Sequence, residues 1–508
     1  MKSWVVLVLA MTAASPVATQ PRDGWIRART RHFDIVSNAT EREVRSLASN
    51  LEQFVVVVSR ILGTTAAPGV PVTVMAFRDD RSFRPFKPLY DGKPTNISGF
   101  FQRTRHATLI ALDINASREG RPFAVIFHEY THVLSGDAGR RWPAWLAEGL
   151  AEFYSTFEAD GDRVTLGAPI AGHLYLLRQG LMMPLGQLFG VDRQSPIYNE
   201  GLRQNTFYAE SWAFAHYLML GNNTSRQPHL RQFIQSIGDG EPVEPAFRKV
   251  FTADDATLET ELRGYISRRA FPVTTYRLTA PVGVSAIEVR PLSLAQGEWH
   301  LGNLLLQTDR LDEAEASFKR AMTLDEGDPG PYEGLGFLAL HRNQSDVAAG
   351  YLEEAIARKS RNYLAHYTYA DTLQRQLSGG ALTPGAIQPI LDSAGAAAAL
   401  EPGFLPARHL LGWAYLSLKS DQAWSEGIRI MTEAHDAFPS DGRIAVMLAG
   451  LQARRREYDA AKTHLNAVLA SRLTDDSLRT EARALLIQVE EAVMMQRIRV
   501  DPARSSEP

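Results

Sequence analysis

Four positions in the second half of the chain recur after 34 residues: Gly302, Ala314, Phe318 and Ala321 return as Gly336, Ala348, Leu352 and Ala355. Self-similarity at such a period specifies a stack of like units, each of which buries its apolar face only against its neighbours. Small and large residues recur at helical spacing within each unit. The pattern runs from about Ser293 to Leu473. Gly412, Tyr415 and Ala434 fit a later copy with a short insertion, and Ala449, Ala461 and Leu465 fit a last one. The third copy departs, because Leu377 to Pro384 reads as an insertion and Gly395 to Leu400 is unusually small-sided. The chain therefore carries about five units.

Period and residue pattern resemble the tetratricopeptide repeat, with Pro402 and Pro439 where such units often end. The resemblance implies an all-α solenoid over 292–495 whose concave face holds a protein partner or an extended substrate segment.

At 508 residues the chain has room for further domains ahead of that solenoid. Its 54 basic and 57 acidic residues give a formal charge of -3, which excludes the large basic field that draws proteins to nucleic acid. The absence of cysteine excludes disulfides, thiolate metal ligands and a cysteine nucleophile. Lys2, the apolar run Trp4 to Met11 and small residues up to Ala18 read as an export signal over 1–20. A signal of this kind places the expected mature protein in the periplasm or outside the cell. No later apolar stretch reaches about 18 residues, so no membrane span is expected there.

Ahead of the repeats, Trp25 to Val36 ends in a strand-like run, and Glu41 to Leu62 has helical periodicity with Asn38, Thr40 or both as caps. Val70 to Phe77 reads as a buried strand, and Ile97 to Phe101 and Ala107 to Leu112 as two more. From Arg121 to about Arg269 the pattern is mainly helical, broken at Pro143, Pro184 and Pro196. The expected organisation is an α+β domain over 24–271, a β-rich connector over 272–291, and the repeats.

Chemistry concentrates in Val125 to Leu134, VIFHEYTHVL. On a helix, His128 and His132 lie one turn apart on one face, so both imidazoles reach a single Zn2+ ion. Glu129 is one position on, placed to take a proton from a metal-bound water. The next helical run, WLAEGLAEFYSTF, holds Glu148 and Glu152 one turn apart among apolar residues. Buried carboxylates need a cation or hydrogen-bond donors, and a metal supplies one.

HEYTH followed by PAWLAEGLAEF resembles the peptidase MA-like gluzincins, the clan of thermolysin and aminopeptidase N. The similarity is strong over 125–157 and weak over the rest of 24–270. It implies a zincin-like catalytic domain, Glu148 of WLAEG as third zinc ligand, Glu152 as the acceptor that orients a ligand histidine, and hydrolysis of peptide bonds. Only 15 residues separate His132 from Glu148, fewer than in many aminopeptidases, and no GxMEN-like string is present. In this clan a Tyr or His on a later helix stabilises the oxyanion; Tyr208 in TFYAESWAFAHYLML is the position that fits, with His216 and Tyr217 behind it. Clan members also lay substrate along an edge strand, a part open here to Ile97–Phe101 or Ala107–Leu112. His106, His173, His300, His366, His409 and His464 have no ligand-spaced partner and read as surface or packing residues. Two other readings use the same residues: a repeat adaptor with a zincin-like binding module, and a zinc hydrolase of a non-peptide amide or ester.

Overall fold

The computed structural model describes residues 24–63, 72–90, 92–95, 97–104, 108–115, 121, 123–192, 195, 201–279, 283, 287–377, 382–471 and 474–500. The expected export signal and His106 lie outside them.

The first half is built on a six-stranded mixed sheet. Its strands are β1 (Ile26–Arg29), β2 (Phe33–Ser37), β3 (Val72–Phe77), β6 (Gly99–Arg103), β7 (Thr108–Asp113) and β11 (Val289–Pro291), in the order β11-β1-β2-β3-β7-β6. β4 (Leu89–Tyr90) and β5 (Lys93–Pro94) form a small hairpin, and β8 (Glu158–Asp160), β9 (Arg163–Leu166) and β10 (Thr274–Arg277) a three-stranded sheet. β2 and β3 are parallel, which demands a crossover, and the 22-residue helix α1 (Glu41–Leu62) supplies it. Thr40 caps α1 in a reciprocal capping box with Glu43, whereas Asn38 accepts the Arg78 amide at 2.7 Å.

Strand alternation gives the sheet two distinct faces. Phe33, Ile35, Val72, Val74, Ile110 and Leu112 point into the main core with α1 and with α3 (Ala124–Arg141). Val36, Met75, Phe77, Leu109 and Ala111 point the other way. Burial on both sides explains why VTVMAF is a continuous apolar run. The short helix α2 (Asp80–Phe83) follows β3, and helices α4 (Ala144–Tyr154), α5 (Ala171–Arg178), α6 (Leu185–Phe189), α7 (Gly201–Leu220), α8 (Gln227–Gly238), α9 (Val243–Val250) and α10 (Asp255–Ile266) complete this half.

The second half is a helical repeat solenoid. Its helices are α11 (Leu294–Gln307), α12 (Leu311–Leu324), α13 (Gly330–His341), α14 (Ser345–Ala357), α15 (Tyr363–Gln376), α16 (Pro384–Leu400), α17 (Leu405–Ser417), α18 (Asp421–Ala437), α19 (Gly442–Arg454), α20 (Tyr458–Ala470) and α21 (Asp476–Val500). The repeat is visible atom by atom. A Cβ on Gly302 would stand 2.5 Å from the Phe318 ring, one on Gly336 2.7 Å from Leu352, and one on Gly412 3.0 Å from Met431, so these three helix pairs close through a glycine. Asp309 and Asn343, one period apart, both turn the chain at φ 57°.

Two described parts of the stretch expected as a connector, 272–291, belong to the two sheets: β10 pairs with β9 and β11 with β1. The first repeat helix also packs onto the sheet, where Leu304 is fully buried beside Val36, Met75 and Phe77. Arg310 donates to the carbonyl of Pro85 at 2.5 Å, and Arg29 of β1 approaches Glu401 at 3.7 Å. Among the described residues, no helix is long and apolar enough to cross a membrane.

Candidate metal centre

α3 and α4 form a helix hairpin on the main-core side of the sheet. α3 is anchored by Ile126, Phe127 and Tyr130, with Phe127 stacked on Phe54 of α1 at 4.6 Å and Tyr130 tilted against Phe33 of β2 at 4.7 Å. That packing turns His128, Glu129 and His132 away from the sheet. α4 starts after Pro143, and all of its residues are buried. It lies so close to α7 that a Cβ on Gly149 would meet the Ser211 carbonyl oxygen at 2.3 Å. Gly149 thus lets α7 pack against the helix that carries Glu148 and Glu152.

Three donor atoms converge. Glu148 Oε2 stands 3.3 Å from His128 Nε2 and 3.5 Å from His132 Nε2. His128, His132 and Glu148 offer ligand atoms all within 4.8 Å of one another. Charge-assisted hydrogen bonds are shorter, about 2.7–2.9 Å. Corners of a tetrahedron with metal bonds of about 2.05 Å lie about 3.3 Å apart. The distance from Glu148 to each histidine matches that separation.

Behind these donors runs a second line of contacts. His128 Nδ1 faces Glu152 Oε1 at 3.4 Å, and Glu152 Oε2 faces His173 Nε2 at 3.3 Å. His173, on α5, is buried and tilted against Trp212 of α7. Glu152 thus sits between two imidazoles, in the place where an acceptor orients a ligand histidine. His173 had read as a packing residue. The β8–β9 hairpin separates it from α4, so no local spacing signalled the contact.

Electrostatics make this a trap for positive charge. Burial opposes protonation of His128, but the carboxylates of Glu148 and Glu152 outweigh it and hold its pKa well above the ordinary histidine range. Burial likewise raises the pKa of Glu148 and Glu152, and the histidines facing them more than reverse it, so both stay ionised far into acid. The cluster favours positive charge, and a proton on His128 meets that demand. Glu129 is different: burial pushes its carboxyl upward, and His128 and His132 only partly restore it. A carboxylate raised in this way has the basicity that proton abstraction needs.

The Tyr208 ring, on α7, lies 6.2 Å from that of His128. His216 and Tyr217 are committed elsewhere. His216 pairs with the Tyr265 hydroxyl and the Gly167 carbonyl, both at 2.7 Å, while Tyr217 donates to Glu261 and accepts from Arg226. Of the two strands open to substrate, β7 is interior, bonded to β3 and β6, and β6 is the free edge. A strand with both edges paired has no amide or carbonyl left for a peptide, which removes Ala107–Leu112 from that part. The other histidines lie apart from the centre: His300 and His366 are buried in the repeats, His409 faces Asp441 at 3.1 Å, and His464 packs on His435.

No protein family and no curated protein matches the chain. Similar solved structures are helical-repeat proteins. A thermophilic TPR protein of Thermus thermophilus is 20% identical over 38% of this chain and 99% of its own, with a TM-score of 0.26. YrrB, described as a TPR protein with an unusual peptide-binding site, is 17% identical over 37% of this chain and 92% of its own, at 0.32. Yeast Tom70 is 14% identical over 75% and 84%, at 0.30.

Proposed function

We propose that the chain is a zinc-dependent peptidase of gluzincin type, exported to the periplasm or beyond. One observation carries the reading: three donor atoms, two imidazole and one carboxylate, converge within 4.8 Å of one another, with Glu129 adjoining them in sequence. His128 Nε2, His132 Nε2 and Glu148 Oε2 would hold the ion, a three-ligand set that leaves a position open for water. When bound, zinc supplies Lewis acidity toward that water and the scissile carbonyl.

The chain's own groups do the rest. Glu152 accepts from His128 Nδ1–H and so keeps Nε2 free to ligate. The Glu129 carboxylate takes the proton of the attacking water and passes it to the leaving amine nitrogen. The Tyr208 hydroxyl donates to the carbonyl oxygen as it gains charge. The β6 edge pairs with the substrate backbone, and the repeats recruit a partner or a large substrate.

The test is metal analysis of the purified protein together with cleavage profiling on an unbiased peptide mixture, for wild type and Glu129→Gln. One equivalent of zinc with peptide cleavage that disappears in the variant supports the proposal. Zinc without turnover would leave the adaptor reading, and turnover confined to non-peptide amides or esters would move the substrate class.

A further inference from the structure

Two segments of the first half, 171–184 and 263–277, hold Arg178, Arg263, Arg268, Arg269 and Arg277 and no aspartate or glutamate. The fold lays them side by side. At the C-terminal end of α5 the Arg178 guanidinium donates to the carbonyls of Ile266 and Arg268, at 3.1 and 2.7 Å. Midway, Phe271 packs against Trp212, the ring that His173 of α5 also touches. Toward the N-terminal end, Thr274 of β10 is the register partner of Leu166, a few residues ahead of α5 in the chain. Residues 267–273 therefore run alongside α5, antiparallel to it, and the two make one ridge.

The ridge shows apolar groups to solvent. α5 buries His173, Leu174 and Leu177 and turns Tyr175 outward, 67% exposed. Leu181, just past the helix, is 51% exposed and Val273 48%, with Ala270 and Pro272 exposed as well. Single exposed apolar residues are ordinary, whereas a contiguous group rimmed by polar residues marks a contact surface.

The charges identify what it contacts. Arg277 faces Asp162 at 3.7 Å, while Arg263 and Glu259 of α10 act on the buried Glu210 of α7 with opposite sign. Elsewhere on α10, Glu261 pairs with Arg226 and Asp255 with Arg248. Three arginines remain without a carboxylate partner among the described residues: Arg178, spent on backbone carbonyls, Arg268, lying over the Tyr265 ring at 5.0 Å, and Arg269. Exposed tyrosine, leucine and valine beside unpaired guanidiniums match an anionic bilayer, where apolar side chains enter the headgroup region and arginines reach lipid phosphates.

We propose that the ridge of α5 and residues 267–273 rests on an anionic phospholipid surface. Contact of this kind lies on the bilayer and needs no spanning helix. His173 and Tyr175, two residues apart, point to opposite sides of α5, one toward Glu152 and one outward. Docking through the ridge thus leaves only α5 between the lipid and the line of contacts behind His128. The proposal does not depend on the metal chemistry.

The test is co-sedimentation of the full chain with vesicles of phosphatidylcholine, alone or with about one third phosphatidylglycerol, at about 0.1 M salt. Affinity should be at least about tenfold higher for the anionic vesicles and should fall severalfold at about 0.5 M salt. Arg268→Gln combined with Arg269→Gln removes two charges and should weaken that binding about tenfold or more at unchanged Tm. Tyr175→Ser combined with Leu181→Ser should weaken it severalfold. Because the chain has no cysteine, Leu181→Cys offers a single site for an environment-sensitive dye. Its emission should shift to the blue on anionic vesicles, whereas the same dye on Leu324→Cys, at an exposed position of the repeats, should not respond. No binding to anionic vesicles, no preference for them, undiminished binding in either double variant, or a silent dye at position 181 would overturn the proposal.

Discussion

The two faces of the six-stranded sheet are made by alternate residues of the same strands, yet they have been put to different uses. Phe33 and Ile35 look toward α1 and α3 and help build a dry platform that fixes His128 and His132. Asp34 and Val36, their neighbours, look toward the repeats: Val36 packs under Leu304, and Asp34 lines an open cavity. The first face needs rigidity, because the proposed ligand atoms must be held within a few tenths of an ångström. The second has only to seat the repeats. A strand serves both because its side chains alternate.

The sharpest way to break this division is to strike the chemistry on the α3 side. Glu129→Gln should lower peptide turnover about 10²–10⁴-fold, with zinc content unchanged; loss of zinc together with activity would show that the variant disturbs the site itself. A second test asks whether the repeats belong to the sheet. Leu304→Ala, a change inside the first repeat, should cost about 2–5 kcal/mol in chemical denaturation, and a chain ending at Phe271 should fail to fold, since it lacks β11 and the cover over Met75 and Phe77. A soluble, cooperatively unfolding truncation would instead make the first half autonomous.

Smaller in effect, His173→Ala should weaken zinc binding about 10–100-fold in competition with a chelator, with little change in secondary structure, because Glu152 would lose one of its two imidazoles. Unchanged zinc affinity would reduce His173 to a packing residue. The smallest effects are in pH dependence, and the two faces should differ in sign. Glu210 of α7 is fully buried, and burial raises its pKa to about 7. Folded, it therefore holds its proton above the unfolded pKa, so its contribution is complete below about 4.5 and is lost as pH rises toward 7. His300 behaves oppositely: its pKa is lowered to about 4, so stability falls as pH drops from about 6.5 toward 4. Glu210→Gln and His300→Gln should each remove a slope of less than about 1.4 kcal/mol per pH unit from the stability curve, in opposite directions. Like slopes in the two variants would contradict these assignments.

What the sequence disclosed depended on how local each signal was. The repeat was legible because Gly302 and Phe318, like Gly336 and Leu352, meet within one helix pair, at the same interval in both copies. His128 and His132 share a helix face by spacing alone. Glu148 stood out as a carboxylate in an apolar run, a conflict that only a cation or hydrogen-bond donors resolve. His173 gave no such conflict, since its partner Glu152 comes to it through the fold. The three residues of β11 were unreadable for a related reason: their membership of the sheet is decided by Ile26, Arg27 and Ala28. The cavity was hidden as well, because polar residues on a strand look like a solvated face until another part of the chain closes over them.

That late pairing has a consequence for biosynthesis. Ala28 and Val289 are register partners although 261 residues separate them in the chain. At about 5–20 residues per second, the outer edge of β1 waits roughly 13–50 s for the strand that covers it. Any pairing of β1 and β2 that forms within that interval leaves an open edge, a template for wrong pairing. A charged arginine on either side of Ala28, at Arg27 and Arg29, is what such an edge needs while it stands uncovered.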